Sequence, residues 1–284
     1  MRKILSIFLV LALAGSLFAA NLQKPMLGQQ PRGENPLTKG LVGFWLMNEG
    51  AGGTVWDLSG NGNAGTLIAN THFVPGKFGP ALAFDGTGDY VTVGNIYDFS
   101  ANISSWSCVI WVKALPRVKD NYLIGTDIVD GWYIRIEESD DATHPNKWLI
   151  KIDDGINDEV DRGNTVIADG KWHQLAVTLD AGVSFLGYAD GQLDITLPTG
   201  SVGALADTLS IGSASGVDTH LGHIDHVAIW NRALSPLEIA ELYRDPFAMF
   251  RINPGWAWYV PGGGPSGTGY IFNVGSTIFG GAVQ

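Results

Sequence analysis

The sequence predicts an all-β fold, an antiparallel β-sandwich or jelly roll closed late in the chain by one short helix. Three observations carry this expectation. Glycine supplies 38 of the 284 residues, and Asp-Gly and Asn-Gly pairs recur, the chemistry of tight hairpin turns. Short apolar or alternating segments follow one another with turn residues between them. The composition, 45% hydrophobic against 16% charged, is enough for a sizeable core. The single Cys108 permits no internal disulfide, so packing must supply the stability.

The best specified stretch is residues 222–242, a strand, a turn and a helix. In residues 224–230 both alternating sets are apolar, with Ile224, Ala228 and Trp230 on one side and Val227 and Ile229 on the other. Such a strand is expected to be buried on both faces. Asp225 interrupts it, and a carboxylate there needs a cation or several hydrogen-bond donors. The helix start reads as a capping box, with Ser235 as N-cap, Pro236 at N1 and Glu238 at N3. Leu234 and Ile239 occupy the staple positions around it. Ile239, Leu242 and Tyr243 form the apolar stripe, and Pro246 ends the helix.

Taken in order, the chain opens with Arg2 and Lys3, an apolar run over residues 4–14 and small residues to Ala20. This reads as a secretory signal peptide over residues 1–20, so a secreted or extracellular location is expected, with the bacterial cell surface or periplasm included. The run is too short for a membrane span, and no span is expected after cleavage. Residues 21–39 are polar and contain Pro and Gly, as a linker does. The main domain is expected over residues 40–245. A first strand covers 41–46, and residues 54–65 read as an irregular Asn/Gly loop. Strands follow at 81–84 and 90–93. Residues 105–113 alternate, with Trp106, Cys108, Ile110 and Val112 opposite Ser107, Val109 and Trp111. Segments 132–137 and 147–152 pair around the acidic loop 138–146. After a strand at 172–179, segments 183–189 and 192–196 form a hairpin turning at Asp190-Gly191, and 208–211 is a further strand. Residues 246–284 form a Gly- and aromatic-rich tail. Its large apolar residues suggest self-association or a surface partner, and the competing reading is that it folds back over its own domain.

The chain is acidic, with 17 Lys and Arg against 28 Asp and Glu, so nucleic acid is excluded as a partner. A cation or a neutral polymer suits this charge better. Trp132, Tyr133 and Trp148 lie near the acidic loop and are the candidate aromatic platform for a glycan; alternation sends at least half of them inward. His220, His223, Asp225 and His226 resemble a metal cluster, but simple alternation points His223 and Asp225 one way and His226 the other. Residues 212–216 hold Ala214 where a nucleophile elbow needs Ser, and there is no Walker loop or dinucleotide fingerprint.

Three blocks together resemble the bacterial laminin-G-like (LamG), concanavalin A-like jelly-roll domains of the lectin/glucanase superfamily. They are GLVGFWLMNEGAGGTVWDLSGNGNAGTL with KFGPALAFDGTGDYVTV, then DGKWHQLAVTLD with YADGQLDI, then GHIDHVAIWNRALSPLEIAEL. The resemblance spans residues 40–245. It implies two curved antiparallel sheets and extracellular binding of carbohydrate or protein, as in adhesion modules. It also implies a structural Ca²⁺ that ties an early segment to the penultimate strand. The matching positions are Glu49 and Asp225, with Asp57 and Asn61 as further oxygen donors. The residues leave a second reading open, in which Asp57 caps its own loop and Asp225 accepts backbone hydrogen bonds. At His226 the family more often carries an acidic residue. Glucanases of this fold use a Glu-x-Asp-x-Glu strand, which neither residues 137–141 nor Asp153-Asp154 supply. The expected function is a secreted, non-catalytic binding module for a carbohydrate or cell-surface polymer. The alternatives are a structural assembly protein that joins through its tail and, less favoured, a glycoside hydrolase.

Overall fold

A computed structural model describes residues 22–96, 105–126, 131–153, 158–180, 182–197, 208–214, 216 and 219–251, and the backbone of two short strands beyond them. The strands run β1 (Leu41–Trp45), β2 (Thr54–Val55), β3 (Gly65–Ile68), β4 (His72–Pro75), β5 (Pro80–Asp85), β6 (Tyr90–Asn95), β7 (Ser105–Ala114) and β8 (Asn121–Gly125). They continue as β9 (Trp132–Ile136), β10 (Lys147–Asp153), β11 (Asp158–Val166), β12 (Trp172–Asp180), β13 (Ser184–Ala189), β14 (Gln192–Leu197), β15 (Thr208–Ile211) and β16 (Leu221–Trp230). Helix α1 covers Pro236–Arg244.

Two antiparallel sheets form the expected sandwich. Sheet A has the order β14-β13-β12-β7-β16-β5-β4, with β1 also paired to β16; sheet B has the order β11-β10-β9-β8-β15-β6-β3-β2. The inward residues of both sheets make one core. From β7 it takes Trp106, Cys108, Ile110 and Val112, as the alternation predicts. Val109 and Trp111 point the other way, into a second apolar layer outside sheet A. The Asp190-Gly191 turn is as expected, both residues having positive φ (50° and 74°), the pairing a tight hairpin requires.

Strand β16 departs from simple alternation. It pairs with β7 along its length, but its other neighbour changes from β5 at Leu221–Ile224 to β1 at Val227–Trp230. The register shifts between Ile224 and Val227. A bulge adds a residue and re-aims the side chains beyond it. Ile224, Val227 and Ile229 therefore all face the inner core, while Ala228 and Trp230 face the outer layer. The expected grouping of Ile224 with Ala228 and Trp230 is corrected by this one extra residue.

The capping box of α1 is complete. Ser235 Oγ accepts from the Glu238 backbone N–H, and Glu238 accepts from the Ser235 backbone N–H at 2.9 Å. Leu234, Ile239 and Leu242 bury in the outer layer with Trp230. Tyr243 stacks on Trp111 with ring centroids 5.7 Å apart and planes 8° from parallel.

Two domain edges move. Residues 22–39 are packed onto the sandwich rather than forming a linker. Leu37 is buried, Trp230 Nε1 donates to the Leu37 carbonyl at 2.7 Å, and Asn35 Nδ2 donates to the Ala248 carbonyl at 2.9 Å. At the other end Phe247, Ala248, Met249 and Phe250 are buried in the outer layer of sheet A, so the tail's first residues cover their own domain. Of the later tail only the backbone of β17 (Trp258–Val260) and β18 (Tyr270–Phe272) is described, as an antiparallel pair. The remaining tail and residues 1–20, where a signal peptide was expected, lie outside the described residues. Strands β2, β3, β4, β8 and β11 are additional to those read from the sequence. They are short, polar or, in β8, broken by a register shift between Tyr122 and Ile124, so none shows a clean period of two. No helix among the described residues is long and apolar enough to cross a membrane.

Candidate functional site

The most unusual polar feature lies where β5 gives way to β1 beside β16. Asp225 is fully buried there. Its Oδ2 accepts from the backbone N–H groups of Lys77 (2.8 Å) and Phe78 (3.2 Å). The loop approaches this closely because residue 76 is glycine: a Cβ on Gly76 would stand 2.6 Å from Asp225 Oδ2. Asp225 Oδ1 accepts from His226 Nδ1 at 3.1 Å and pairs with Lys24 Nζ at 3.0 Å.

Lys24 comes from the N-terminal segment, and its side chain is only 3% exposed. Its Nζ donates to the carbonyls of Asp225 (2.7 Å), Met47 (3.4 Å) and Pro80. Four oxygens from three separate segments surround the nitrogen. An ammonium brings three hydrogens to these four acceptors and a neutral amine only two, and one acceptor is a carboxylate, so the charged form suits the site better. Burial pulls the Lys24 pKa below that of a free lysine, while the Asp225 carboxylate acts in the opposite direction. Burial alone would raise the Asp225 pKa; the hydrogen bond from His226 and the charge of Lys24 together hold it below the ordinary carboxylate value.

The four positions expected to hold calcium do not converge. Asp57 is spent on its own loop: Oδ1 accepts from the N–H of Phe44 (2.9 Å) and Ser59 (2.8 Å), and Oδ2 from Ser59 Oγ (2.8 Å) and the N–H of Asn63 (2.9 Å). Asn61 Nδ2 donates to the Leu41 carbonyl (3.1 Å) and to Ser59 Oγ (2.9 Å) within that loop. Glu49 Oε1 accepts from the Trp56 N–H at 2.8 Å, and its Oε2 is buried with no hydrogen-bond partner. Glu49 lies near enough for its charge to act on Lys24. Only Glu49 and Asp225 thus share a neighbourhood, and the ammonium occupies the point where the oxygens meet. As they stand, these residues do not suit a metal ion.

The histidines do not converge either, and no group of three metal-ligating side chains occurs among the described residues. His220 is fully buried, its Nδ1 2.6 Å from Asn121 Oδ1, and burial pushes its pKa down to about 3. His226 lies on the same side as Asp225 because of the β16 bulge. Burial among Phe44, Phe78, Trp111 and Phe247 lowers its pKa. His223 is half-buried beside Trp172, and its pKa is also lowered by burial.

None of the three members of the expected aromatic platform is on the surface. Trp132 and Trp148 are fully buried in the core, and Trp148 Nε1 donates to Asp194 Oδ2 at 2.8 Å. A ring enclosed on both faces cannot stack on a sugar. Tyr133 points to the opposite face of sheet B, where it meets Tyr122 edge-on at 4.9 Å; it is 7% exposed. Beside this pair the same alternation sets a row of charges. Arg135 pairs with Asp120 and with Glu137 (3.1 Å), Arg162 Nε donates to Glu137 Oε1 at 2.6 Å, and Lys151 pairs with Asp153 at 3.3 Å. The Arg135 guanidinium stands 5.8 Å from the Tyr122 ring centroid. Sequence reading missed this set, because Tyr122, Arg135 and Arg162 lie on three strands and only their registry joins them. It also missed Trp56, which is 58% exposed at the edge strand β2.

Comparison with known proteins places this geometry. The laminin G model described as the concanavalin A-like lectin/glucanases superfamily matches residues 85–240, more than half of the chain. The chain belongs to this superfamily. Strands β1–β4 and the Lys24 segment precede the matched residues but are part of the same sandwich. No curated protein matches the chain. Among solved structures, the binding domain of Paraclostridial Mosquitocidal Protein 1 superposes with a TM-score of 0.58 at 14% identity, over 73% of this chain and 52% of that one. Domain 4 of AbnA, a GH43 extracellular arabinanase from Geobacillus stearothermophilus in complex with arabinotriose, gives 0.56 at 17%, over 72% and 98%. The botulinum neurotoxin serotype D binding domain gives 0.59 at 15%, over 74% and 52%. The chain thus spans about half the length of the toxin domains it matches. At these identities the likeness is one of fold, and this concanavalin A-like sandwich covers nearly all of the arabinanase domain.

Proposed function

We propose that the protein is a non-catalytic binding module for a carbohydrate or cell-surface polymer, and that it binds on the outer face of sheet B. The observation that carries this reading is the juxtaposition of Tyr122 and Tyr133 with Arg135, Glu137, Lys151 and Arg162 on that one face. Tyr122 and Tyr133 are themselves buried, 6% and 7% exposed, so they back this face, and the forked, charge-assisted hydrogen bonds of Arg135 and Arg162 are what it offers a hydroxyl-rich ligand. The acidic net charge of −11 suits a neutral polymer better than an anionic one. The arabinanase domain, solved with arabinotriose, shares the fold and lends support. A secreted setting is consistent with the signal-like first 20 residues.

A glycan and cell-wall polymer array probed with the full chain tests the proposal. One class of saccharide should bind, and Arg162→Ala should weaken that binding at least tenfold, while Trp56→Ala leaves it unchanged. Loss with Trp56→Ala and not with Arg162→Ala would move the site to the β2 edge. An array with no bound saccharide would overturn the reading.

A further inference from the structure

The buried ammonium of Lys24 has the surroundings of a metal ion rather than those of a salt-bridge partner. A surface lysine pairs with one carboxylate and keeps its remaining hydrogens in water. Lys24 instead meets three backbone carbonyls and one carboxylate oxygen, from the end of β1, the start of β5 and the bulge in β16. Hard oxygens of that kind, mostly from backbone, are the donor set that calcium takes. The charge balance points the same way. Asp225 and Glu49 together bring two negative charges, Lys24 brings one positive charge, and Glu49 Oε2 is left buried without a partner.

We propose that Lys24 is a tethered cation, which holds together the strand ends that a divalent cation would otherwise join, and that a calcium site opens only when its charge is removed. The tether is the segment around Lys24. The Lys24 N–H donates to the Phe78 carbonyl at 3.1 Å, and Asn48 Nδ2 donates to the Pro25 carbonyl at 3.0 Å. Met26 and Leu27 then emerge into solvent. The segment thus crosses the junction of β1, β5 and β16 and lowers its one ammonium into it. A covalently attached cation binds without the loss of translational freedom that a free ion suffers, and it does not depend on the calcium concentration outside the cell. This arrangement goes beyond the binding reading above and does not depend on it.

The test uses the full chain with calcium, and terbium as a luminescent probe, comparing melting in EDTA and in millimolar calcium. The natural chain should melt at the same temperature in both and show no sensitised terbium emission. Lys24→Ala should lose several degrees in EDTA, regain them in calcium and bind one terbium per chain. Adding Asp225→Asn should abolish both the recovery and the emission. If Lys24→Ala does not fold in EDTA, refolding on addition of calcium is the readout. Lys24→Met, which keeps the apolar stem but not the charge, serves as the second variant. A calcium-dependent melting temperature in the natural chain that Asp225→Asn removes would overturn the proposal. So would a Lys24→Ala and a Lys24→Met that are equally unstable with and without calcium.

Discussion

The two outer faces of the sandwich began with similar material and ended differently. Outside sheet A, Val109, Trp111, Ala228 and Trp230 are sealed beneath α1 and Phe247–Phe250, with the segment of residues 22–39 packed alongside. Outside sheet B, Tyr122, Tyr133 and Leu149 form a small apolar cluster bordered by the Arg135–Glu137–Arg162 ion pairs, and no described helix lies over it. Both faces carry aromatic rings on alternating strands. The difference is that residues 22–39 and 247–250, which flank the strands of the sandwich in sequence, both pack on the first face. How large an apolar layer a sheet face carries depends on what else the chain lays over it, which strand alternation alone does not decide.

The largest test of this contrast is to remove the cover. Truncation after Asp245 deletes four buried residues, two of them Phe, and cutting a buried Phe back to Ala costs about 3–5 kcal/mol. That approaches the whole stability of a domain, about 5–15 kcal/mol. The truncated chain should lose its cooperative melt and bind a hydrophobic dye. Truncation after Arg251 keeps those residues and should melt much as the full chain does. If both truncations melt alike, the cover is not structural.

Acid should act next, through two buried histidines, His226 beneath the cover and His220 between the sheets. His220 and His226 are held neutral by burial, His220 with a pKa of about 3. Their folded values lie below that of an unfolded histidine, about 6.5, so the unfolded chain takes up protons first. Their contribution is intact above about pH 6.5 and is lost as the pH falls toward 3. For His220 alone the loss reaches about 2 kcal/mol at pH 5. Denaturant melts at pH 7 and pH 5 should show a drop in stability that shrinks in His220→Gln. A natural chain equally stable at both values would refute the mechanism.

The helix cap offers a smaller effect. Ser235→Ala removes one half of the capping box and should cost about 0.5–2 kcal/mol, read as a lower urea midpoint with an unchanged slope. The smallest stability effect belongs to the other face. Arg162→Ala removes a partly exposed arginine from the buried Glu137, which keeps Arg135 as its partner, and should cost about 1 kcal/mol or less. If the faces differ in the way described, this variant alters binding and leaves melting nearly unchanged, whereas Ser235→Ala does the reverse.

Much of the architecture was determined by local sequence. The alternation of β7 is intrinsic to Trp106–Val112, the I′-type turn to Asp190-Gly191, and the capping box to Ser235-Pro236-Leu237-Glu238. Each rests on interactions among residues a few positions apart, so a short window of sequence contains all of its physics. The buried Asp225 was also legible as a carboxylate in need of a cation or donors. What only the tertiary structure decided was which partners arrived. Lys24 lies 201 residues away in a segment whose composition reads as a linker, and nothing local marks its ammonium as the one that reaches Asp225. The bulge that re-aims His226 arises where β16 exchanges β5 for β1, a change of neighbours rather than of sequence. The Tyr122, Arg135 and Arg162 face depends on the registry of β8, β9, β10 and β11. These contacts are long-range, and their free energy depends on burial and charge complementarity that exist only once the sheets have closed.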